Sequence, residues 1–395
     1  MRRMVLLIAL GFAPLASAAD SPPLTFDDIV QRAAADPARL ARAAGLARWE
    51  RELSATGRFA REGPTLDTEL GPRRTEAGAL KTQASARIEV QFLTDGHALA
   101  EADSRFRSAS PDILAAEVVE SRLRLRLAYL DAWLAQEHAA VIDVQRQSIE
   151  QLVASVRKRV GVGADAPYET ALVEGELLRS RSDSDGARAA LGEAWSALRA
   201  LADLPVEPQV LEAPATPDLN VPADAEARFA SGVLRRAVAH RGSLEAAFLD
   251  LENAQRRSRW SATATVGMEA DESFATVGAA YRFPRRGEGS ALGRERAAAA
   301  AVMGRQADVE AVRLATRFET VIDRATRFGP IDSPDSFDEA LRALALRIEL
   351  GKDRPSLALP VRRQLLEARG AALQRVRDAH QLIAELDALI AGDAP

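Results

Sequence analysis

The segment that decides the fold reads Ala-Ser-Ala-Arg-Ile-Glu-Val-Gln-Phe-Leu-Thr-Asp-Gly and spans residues 84–96. Its apolar positions are Ala86, Ile88, Val90 and Phe92, and the polar positions between them are Ser85, Arg87, Glu89 and Gln91. A period of two that separates an apolar face from a charged face predicts a β-strand. The glycine that closes the segment predicts a turn into the next element.

The next element is predicted to be one very long helix from about His97 to Val160, interrupted only by Pro111 near its start. Leucines at 123, 127, 130 and 134 recur in steps of four, three and four, as do the apolar residues at 149, 153, 156 and 160. This spacing is a heptad-like seam. A helix of about 64 residues would be on the order of 95 Å long, far beyond a typical globular helix.

The same order of elements occurs twice along the chain. The first repeat is predicted at 19–203, with an opening helix, a β-hairpin at 64–93 and a long helical hairpin at 97–203. The second repeat is predicted at 223–392, with a helix, a β-hairpin at 261–283 and a long helical hairpin at 290–391. A proline-rich linker at 204–222 separates them. Landmarks such as Gly161 and Gly351 lie about 190 residues apart, which indicates a duplicated unit.

Local signals refine this outline. Thr25 and Asp28 have the spacing of a capping box at the start of the opening helix. Residues 72–83 are rich in glycine and charge and are predicted to form the loop of the first β-hairpin. Residues 224–260 are predicted to be one helix, and the prolines within 328–335 are predicted to break the second long helix.

The N-terminus predicts export. Arg2 and Arg3 precede an apolar run, and Ala16-Ser17-Ala18 supplies small residues for cleavage, so residues 1–18 are interpreted as a signal peptide. The apolar run is too short to span a bilayer, and no later segment has the length of a transmembrane helix.

Composition excludes several classes of protein. The chain has no cysteine, which removes disulfides, thiolate metal sites and cysteine nucleophiles. Its net charge of -5 argues against a nucleic-acid partner. Its histidines, His97, His138, His240 and His380, lack metal-ligand spacing. No catalytic or phosphate-binding motif is present, so we expect no enzyme activity, no cofactor and no metal.

Four amphipathic strands raise a problem of closure. Strands of this length can cross an outer membrane when tilted, with the apolar face towards lipid and the polar face towards water. Four strands cannot close a barrel, however, and open edges are not tolerated in hydrocarbon. Two chains would supply eight strands, which side chains fill, whereas three chains would supply twelve and leave a lumen. A conducting function therefore favours a homotrimer.

This order of elements resembles the TolC-like outer-membrane efflux protein family over nearly the whole chain after the signal. The resemblance rests on the opening helix at 24–37, the strand and glycine turn at 88–96, and the two helical turns at 159–167 and 347–351. It implies a mainly α fold with a small β part, in which duplicated long helical hairpins form a periplasmic tunnel. Four strands from each of three chains would form a shared transmembrane barrel in outer-membrane lipid. It also implies a periplasmic adaptor protein and an inner-membrane pump as partners, and passage of substrate to the outside without chemistry.

Two sets of residues are candidate functional sites. The polar strand faces predict a barrel lumen lined by Arg87, Glu89, Gln91, Thr263, Thr265, Glu269 and Arg282, although an ordinary half-buried sheet also has a solvated face. The helical turns predict a periplasmic tip or gate formed by Arg159, Gly161, Gly163, Asp165, Lys352, Asp353 and Arg354. Glycine and charge also simply end helices, so the tip residues have a purely structural interpretation as well.

The main alternative function is a soluble periplasmic coiled-coil scaffold or adaptor without a channel. An adaptor is expected to carry one helical hairpin flanked by compact β domains, rather than two copies of a β-hairpin followed by a long helical hairpin. The sequence does not name the exported substrate or the class of pump, because selection of substrate is expected to occur upstream of an outer duct.

Overall fold

The structure is a computed structural model that describes residues 22–33, 37–56, 65–74, 80–92, 96–256, 260–269, 272–281, 288–331 and 333–392. The predicted signal peptide lies outside the described residues. Within them the chain forms nine helices and four strands. The helices are α1 (Phe26–Arg32), α2 (Pro37–Thr56), α3 (Gly96–Gly161), α4 (Pro167–Arg199), α5 (Ala225–Ser231), α6 (Val233–Arg256), α7 (Glu288–Arg327), α8 (Pro334–Glu349) and α9 (Pro355–Leu389). The strands are β1 (Thr65–Arg74), β2 (Leu80–Phe92), β3 (Trp260–Glu269) and β4 (Glu272–Tyr281).

The chain divides into two compact units, and each takes segments from both predicted repeats. The first, here called the helical unit, comprises Met1–Pro37, Ser121–Val221 and Asp323–Glu385. The second, here called the strand unit, comprises Ala38–Glu120, Pro222–Ile322 and Leu386–Pro395. The spatial division does not follow the order of the repeats, because α3 and α7 each contribute to both units.

The heptad-like seam of α3 forms a core of the helical unit. Ile149 and Val156 are buried against Val173 of α4, Ile348 of α8 and Leu359 of α9. A second core surrounds Trp195, which is fully buried and donates its indole N–H to Pro205 O at 3.0 Å. Burial of these apolar seams drives the long helices together, since isolated helices gain little stability from propensity alone.

The predicted linker at 204–222 is anchored to the core of the helical unit by Leu204 and Leu211, which are buried. The Tyr129 hydroxyl donates to Glu212 O at 2.6 Å, and the Gln136 side chain both donates to and accepts from the backbone of Leu211. Leu24 and Leu211 form an isolated parallel bridge. Burial is the first cause that raises the pKa of Tyr129, to about 12.

The predicted capping box at α1 is confirmed. The Thr25 hydroxyl accepts a hydrogen bond from the Asp28 N–H at 3.1 Å, and the Asp28 carboxylate accepts one from the Thr25 N–H at 3.0 Å. These reciprocal bonds satisfy amide groups that the first helical turn leaves without partners. The hydrogen bond from the Thr25 backbone is the first cause that lowers the pKa of Asp28.

The strand unit contains an antiparallel sheet with the order β1-β2-β3-β4. Both predicted hairpins are confirmed, but the strands of the first extend further than expected, to Arg74 and from Leu80, into the predicted loop at 72–83. Within this charged stretch, every residue of β1 is directly opposite a residue of β2, so the cross-strand pairing continues. The helical part of the unit packs Leu46 of α2 and Phe106 of α3 against Leu244 of α6.

Two predicted helices differ from expectation. The sequence predicts one helix over residues 224–260, whereas α5 and α6 are separated at Gly232. A Cβ on Gly232 would lie 3.0 Å from Leu389 O, so the close backbone favours glycine here. The Val233 N–H donates to Ala391 O at 3.0 Å instead of to a carbonyl within a continuous helix. The predicted interruption at Pro111 is wrong, since α3 continues through it.

The predicted break of the second long helix is confirmed. Helix α7 ends at Arg327 and α8 begins at Pro334, with Ser333 as its N-cap. Proline at the first helical position has no N–H to leave unpaired and is favoured there. Within the described residues, no helix has both the length and the apolar character to cross a membrane.

Candidate functional site

The register of the sheet collects the predicted lumen residues on one face. Directly opposed residues share a face, and Arg87 pairs with Thr265 while Glu89 pairs with Thr263. Arg87 Nη2 lies 3.2 Å from Glu89 Oε2, so both side chains are on the same side of β2. By register, the positions of Gln91 and Glu269 fall on this face as well. Arg282 lies outside the described residues.

The opposite face of the sheet is apolar and exposed. Val277 is 87% exposed, and Leu66, Leu70, Val266 and Met268 are also exposed on this face. Trp260 and Tyr281 form a tilted aromatic pair at one end of the face, with ring centroids 4.9 Å apart. A contiguous apolar surface of this kind marks a site that another apolar phase or partner covers.

The two helical turns of the helical unit are built in the same way. Gly163 and Gly351 both have positive φ, at 76° and 69°. In each turn an arginine pairs with an aspartate six residues later: Arg159 Nε lies 2.7 Å from Asp165 Oδ2, and Arg347 Nε lies 2.6 Å from Asp353 Oδ2. The backbone N–H groups after each glycine turn back to the carbonyl of that arginine.

This geometry corrects one landmark of the predicted repeat. The structural counterpart of Gly351 is Gly163, not Gly161, because only Gly163 adopts the left-handed conformation that ends the first hairpin helix. Gly161 is the last residue of α3.

Arg159 joins the two turns. Its Nη1 donates to Ile348 O at 3.2 Å and to Glu349 O at 3.3 Å, which are carbonyls at the C-terminus of α8. A cation at a helix C-terminus is favoured by the helix dipole. Asp165 holds the Arg159 guanidinium in this position, and both side chains are only 18% exposed. Lys352 and Arg354 have no ion-pair partner among the residues that the structure describes.

At the second turn, the hydrogen bond from Arg347 is the first cause that lowers the pKa of Asp353. The predicted tip residues therefore fall into three groups. Arg159, Asp165 and Asp353 take part in ion pairs that shape the turns, Gly163 supplies a conformation, and Gly161, Lys352 and Arg354 have neither role.

Two buried glutamates near the turns were missed by sequence reasoning. Glu169 is 2% exposed and accepts hydrogen bonds from the Ser356 N–H at 2.9 Å and the Ser356 hydroxyl at 2.8 Å. Glu176, one heptad further along α4, lies against Arg362 and Arg363 of α9. The seven-residue spacing of two acids in the buried seam was the available signal, because acids rarely occupy such positions unless paired.

No ligand constellation is found in the described part of the chain. No group of three or more His, Asp or Glu residues there has the geometry to hold a metal ion. His380 Nε2 lies 2.7 Å from Ala215 O, which gives this histidine a structural partner, and burial is the first cause that lowers its pKa.

The similarity of this chain to known proteins lies in its structure rather than in its sequence. No protein-family model and no curated protein matches the sequence. The CmeC outer membrane channel of Campylobacter jejuni matches with a TM-score of 0.72 at 12% identity, over 93% of this chain and 86% of that one. The outer membrane protein VceC of Vibrio cholerae matches with a TM-score of 0.65 at 16% identity, over 93% and 97%. The open MtrE channel of Neisseria gonorrhoeae matches with a TM-score of 0.62 at 14% identity, over 93% and 88%.

The chain has the fold of these outer-membrane channels. The predicted fold class, mainly α with a small antiparallel sheet and long helical hairpins, is confirmed. The resemblance to TolC-like proteins is confirmed at the level of the fold. CmeC, OprN and MtrE, which share this fold, are outer-membrane channels.

Proposed function

We propose that the protein is a subunit of an outer-membrane channel that exports substrate from the periplasm. The observation that carries the proposal is the sheet of the strand unit, which has an exposed apolar face, a polar face and two outer strands, β1 and β4. Within the described residues neither outer strand has a second neighbour. Such a sheet is stable in lipid only when further copies satisfy its edges, because unpaired backbone groups are costly there.

Three copies give the arrangement that suits a channel. Twelve strands enclose a lumen, and the polar face would line it while Val277 and its neighbours face lipid. The long helical hairpins would form a periplasmic tunnel. The channel fold also supports a periplasmic adaptor and an inner-membrane pump as partners, because a passive duct needs an energised pump to drive export.

The decisive experiment is membrane fractionation followed by extraction. We expect the mature protein in the outer membrane, resistant to urea and salt washes and released by detergent as a cross-linkable trimer. In planar bilayers the purified trimer should form discrete channels. Release by urea as a soluble species would instead support the alternative of a periplasmic coiled-coil scaffold.

The two helical turns are proposed to form the periplasmic entrance and to hold it narrow. Arg159 fastens one turn to the other, and Asp165 positions Arg159 for that contact. A charge-assisted hydrogen bond is worth about 1.5–3 kcal/mol, and three copies would add their contributions. A pump complex that competes for these groups would then shift the entrance towards an open state.

Charge reversal tests this role. Asp165→Arg removes the group that holds Arg159, and Asp353→Arg breaks the internal pair of the second turn. We expect the double variant to raise single-channel conductance. Asp183→Arg is the matched control, because Asp183 is 53% exposed on α4 and its ion pair with Arg179 spans 3.8 Å within the same helix. Unchanged conductance in the double variant would reduce these residues to helix ends.

A further inference from the structure

The polar face of the sheet carries one large apolar side chain among the residues that the structure describes, Phe274 of β4. Phe274 is directly opposite Gly267 of β3, and Gly267 is directly opposite Ser85 of β2, so the three residues share this face. Every other described position on the face holds a polar or charged side chain, glycine or alanine. The phenyl ring is therefore the exception to the alternation that separates the two faces.

The ring of Phe274 lies along the sheet, over Gly267. A Cβ on Gly267 would be 2.5 Å from Cζ and 2.8 Å from Cε1 of Phe274, so the far end of the ring occupies the space of the missing side chain. The same Cβ would lie 2.9 Å from Ala84 O, so the backbone of β2 also favours glycine here. Gly267 is buried, whereas Phe274 is half-buried and remains partly accessible.

Neutral hydroxyl groups lie beside this ring. Ser85 follows Gly267 in the same row, and Thr265 and Thr276 form the next pair on the face, two residues along each strand. Two residues along a strand correspond to about 7 Å, which a molecule of two fused rings can span. The face thus offers an apolar platform next to a few hydrogen-bonding groups, which is the usual composition of a small-molecule contact site.

The row of Phe274 lies near the turn of the second β-hairpin. Helix α6 leads into β3 at Trp260, and β4 leads towards α7 from Tyr281, so Gly267 and Phe274 lie towards the opposite end of these strands. Under the proposed function this is the outer end of the lumen, because the helices extend into the periplasm. Three copies would place three phenyl rings at one level of the pore wall.

We propose that Phe274 forms a contact site for neutral aromatic solutes as they leave the channel. The inference rests on the proposed function, because that function places the polar face on the lumen. A flat ring of the solute would lie against the phenyl ring in an offset or edge-to-face arrangement, and its polar substituent would hydrogen-bond to Ser85, Thr265 or Thr276. Such a contact is weak enough to release the solute, which a conducting pore requires.

Packing gives the same residue a structural role. An aromatic ring over a glycine stabilises a sheet, so Phe274 contributes to the pairing of β3 with β4 as well. Packing needs an apolar side chain over Gly267, whereas the solute contact needs an aromatic ring. Phe274→Leu keeps the first property and removes the second, and Phe274→Tyr keeps both, so these two variants separate the two roles.

The test measures the block of single-channel current by 2-naphthol, a flat neutral solute with one hydroxyl group. Purified full-length trimer is inserted in planar bilayers, and the neutral probe excludes attraction by the charged residues of the same face. We expect brief, concentration-dependent reductions of current in the unmodified and Phe274→Tyr channels. Phe274→Leu should weaken the binding roughly two- to tenfold, the range expected for the loss of one aromatic contact.

Met268→Ala is the matched control. Met268 lies one residue from Gly267 on β3, but it is 58% exposed on the opposite, apolar face. The variant removes an apolar side chain at almost the same level of the sheet, and 2-naphthol should block it as strongly as the unmodified channel. Detergent extraction and cross-linking of each variant show that it has assembled. If Phe274→Leu does not assemble, Phe274→Met fills the same space with a flexible apolar side chain and replaces it in the comparison.

Two results would overturn the proposal. One is an unmodified channel that conducts but is not blocked by 2-naphthol. The other is equal block of the unmodified, Met268→Ala and leucine- or methionine-substituted channels, which would leave Phe274 with its packing role alone. Either result leaves the channel function intact. A protein that neither inserts nor conducts would refute the proposed function itself, and with it the position of this face on a lumen.

Discussion

The buried ion pair between α4 and α9 provides the sharpest test of what holds the helical unit together. The side chains of Glu176 and Arg362 are only 6% and 5% exposed, with Arg362 Nη1 3.7 Å from Glu176 Oε1. Burial is the first cause that lowers the pKa of Arg362, to about 10, because a charged guanidinium is less stable away from solvent. Arg363 Nε also donates to Glu176 Oε2 at 3.1 Å.

Glu176→Gln keeps the shape of the side chain and removes its charge. Breaking a buried pair by removal of one partner costs about 3–5 kcal/mol, because the other charge stays buried without compensation. Arg362 keeps its hydrogen bonds to the Gln145 side chain and backbone, both at 2.8 Å, so the lower end, about 3 kcal/mol, is expected. That loss corresponds to a roughly hundredfold increase in the local opening equilibrium.

Hydrogen–deuterium exchange of peptides from α4 and α9, resolved by mass spectrometry, measures this opening directly. The matched control is Glu174→Gln, two residues away on the same helix. Glu174 pairs with Arg157 at 2.6 Å, but the two side chains are 43% and 62% exposed, so the loss should be at most about 1 kcal/mol. Equal exchange in the two variants would refute the argument that burial sets the strength of these pairs.

Three further predictions test separate parts of the structure. Val277→Arg should cost roughly 2–4 kcal/mol of barrel stability because it puts a charge into lipid, whereas Thr276→Arg on the polar face should be tolerated. Urea unfolding of the trimer in lipid compares the stability of the two variants. An equal loss of stability in both would reject the assignment of the two faces. The raised pKa of Tyr129 means that its contribution to stability is complete below its ordinary value near 10 and is lost as pH rises through about 12, so Tyr129→Phe should flatten the fall in thermal stability over that range. Gly351→Ala should lower stability by about 1 kcal/mol because of its positive φ, and Gly161→Ala should not, as thermal unfolding of the two variants would show.

Much of the fold was predictable because its signals are local. The alternation from Ala84 to Phe92 and the seam from Ile149 to Val156 reflect the periods of strand and helix, which any window of the chain displays. The capping box at Thr25 and the break before Pro334 depend on neighbouring residues only. The positions of both hairpins and both helical turns followed from these patterns.

Part of the candidate site was predictable for the same reason. Alternation alone placed Arg87 and Glu89 on one face of their strand, and glycine with charge marked both turns of the helical hairpins. The sequence did not distinguish Gly163 from Gly161, because the two glycines differ only in the backbone angle that the closed turn imposes.

Only the tertiary structure decided which distant groups meet. Arg159 reaches the carbonyl of Ile348, and Glu176 reaches Arg363, across separations of 189 and 187 residues. The tertiary structure also decided that Gly232 interrupts a helix, because the backbone carbonyl of Leu389 lies close to this glycine. Composition and periodicity say which side of a helix is buried, but not which neighbour buries it or in what register. Those contacts depend on how several long seams pack together, and that is a property of the assembled helices rather than of any one segment.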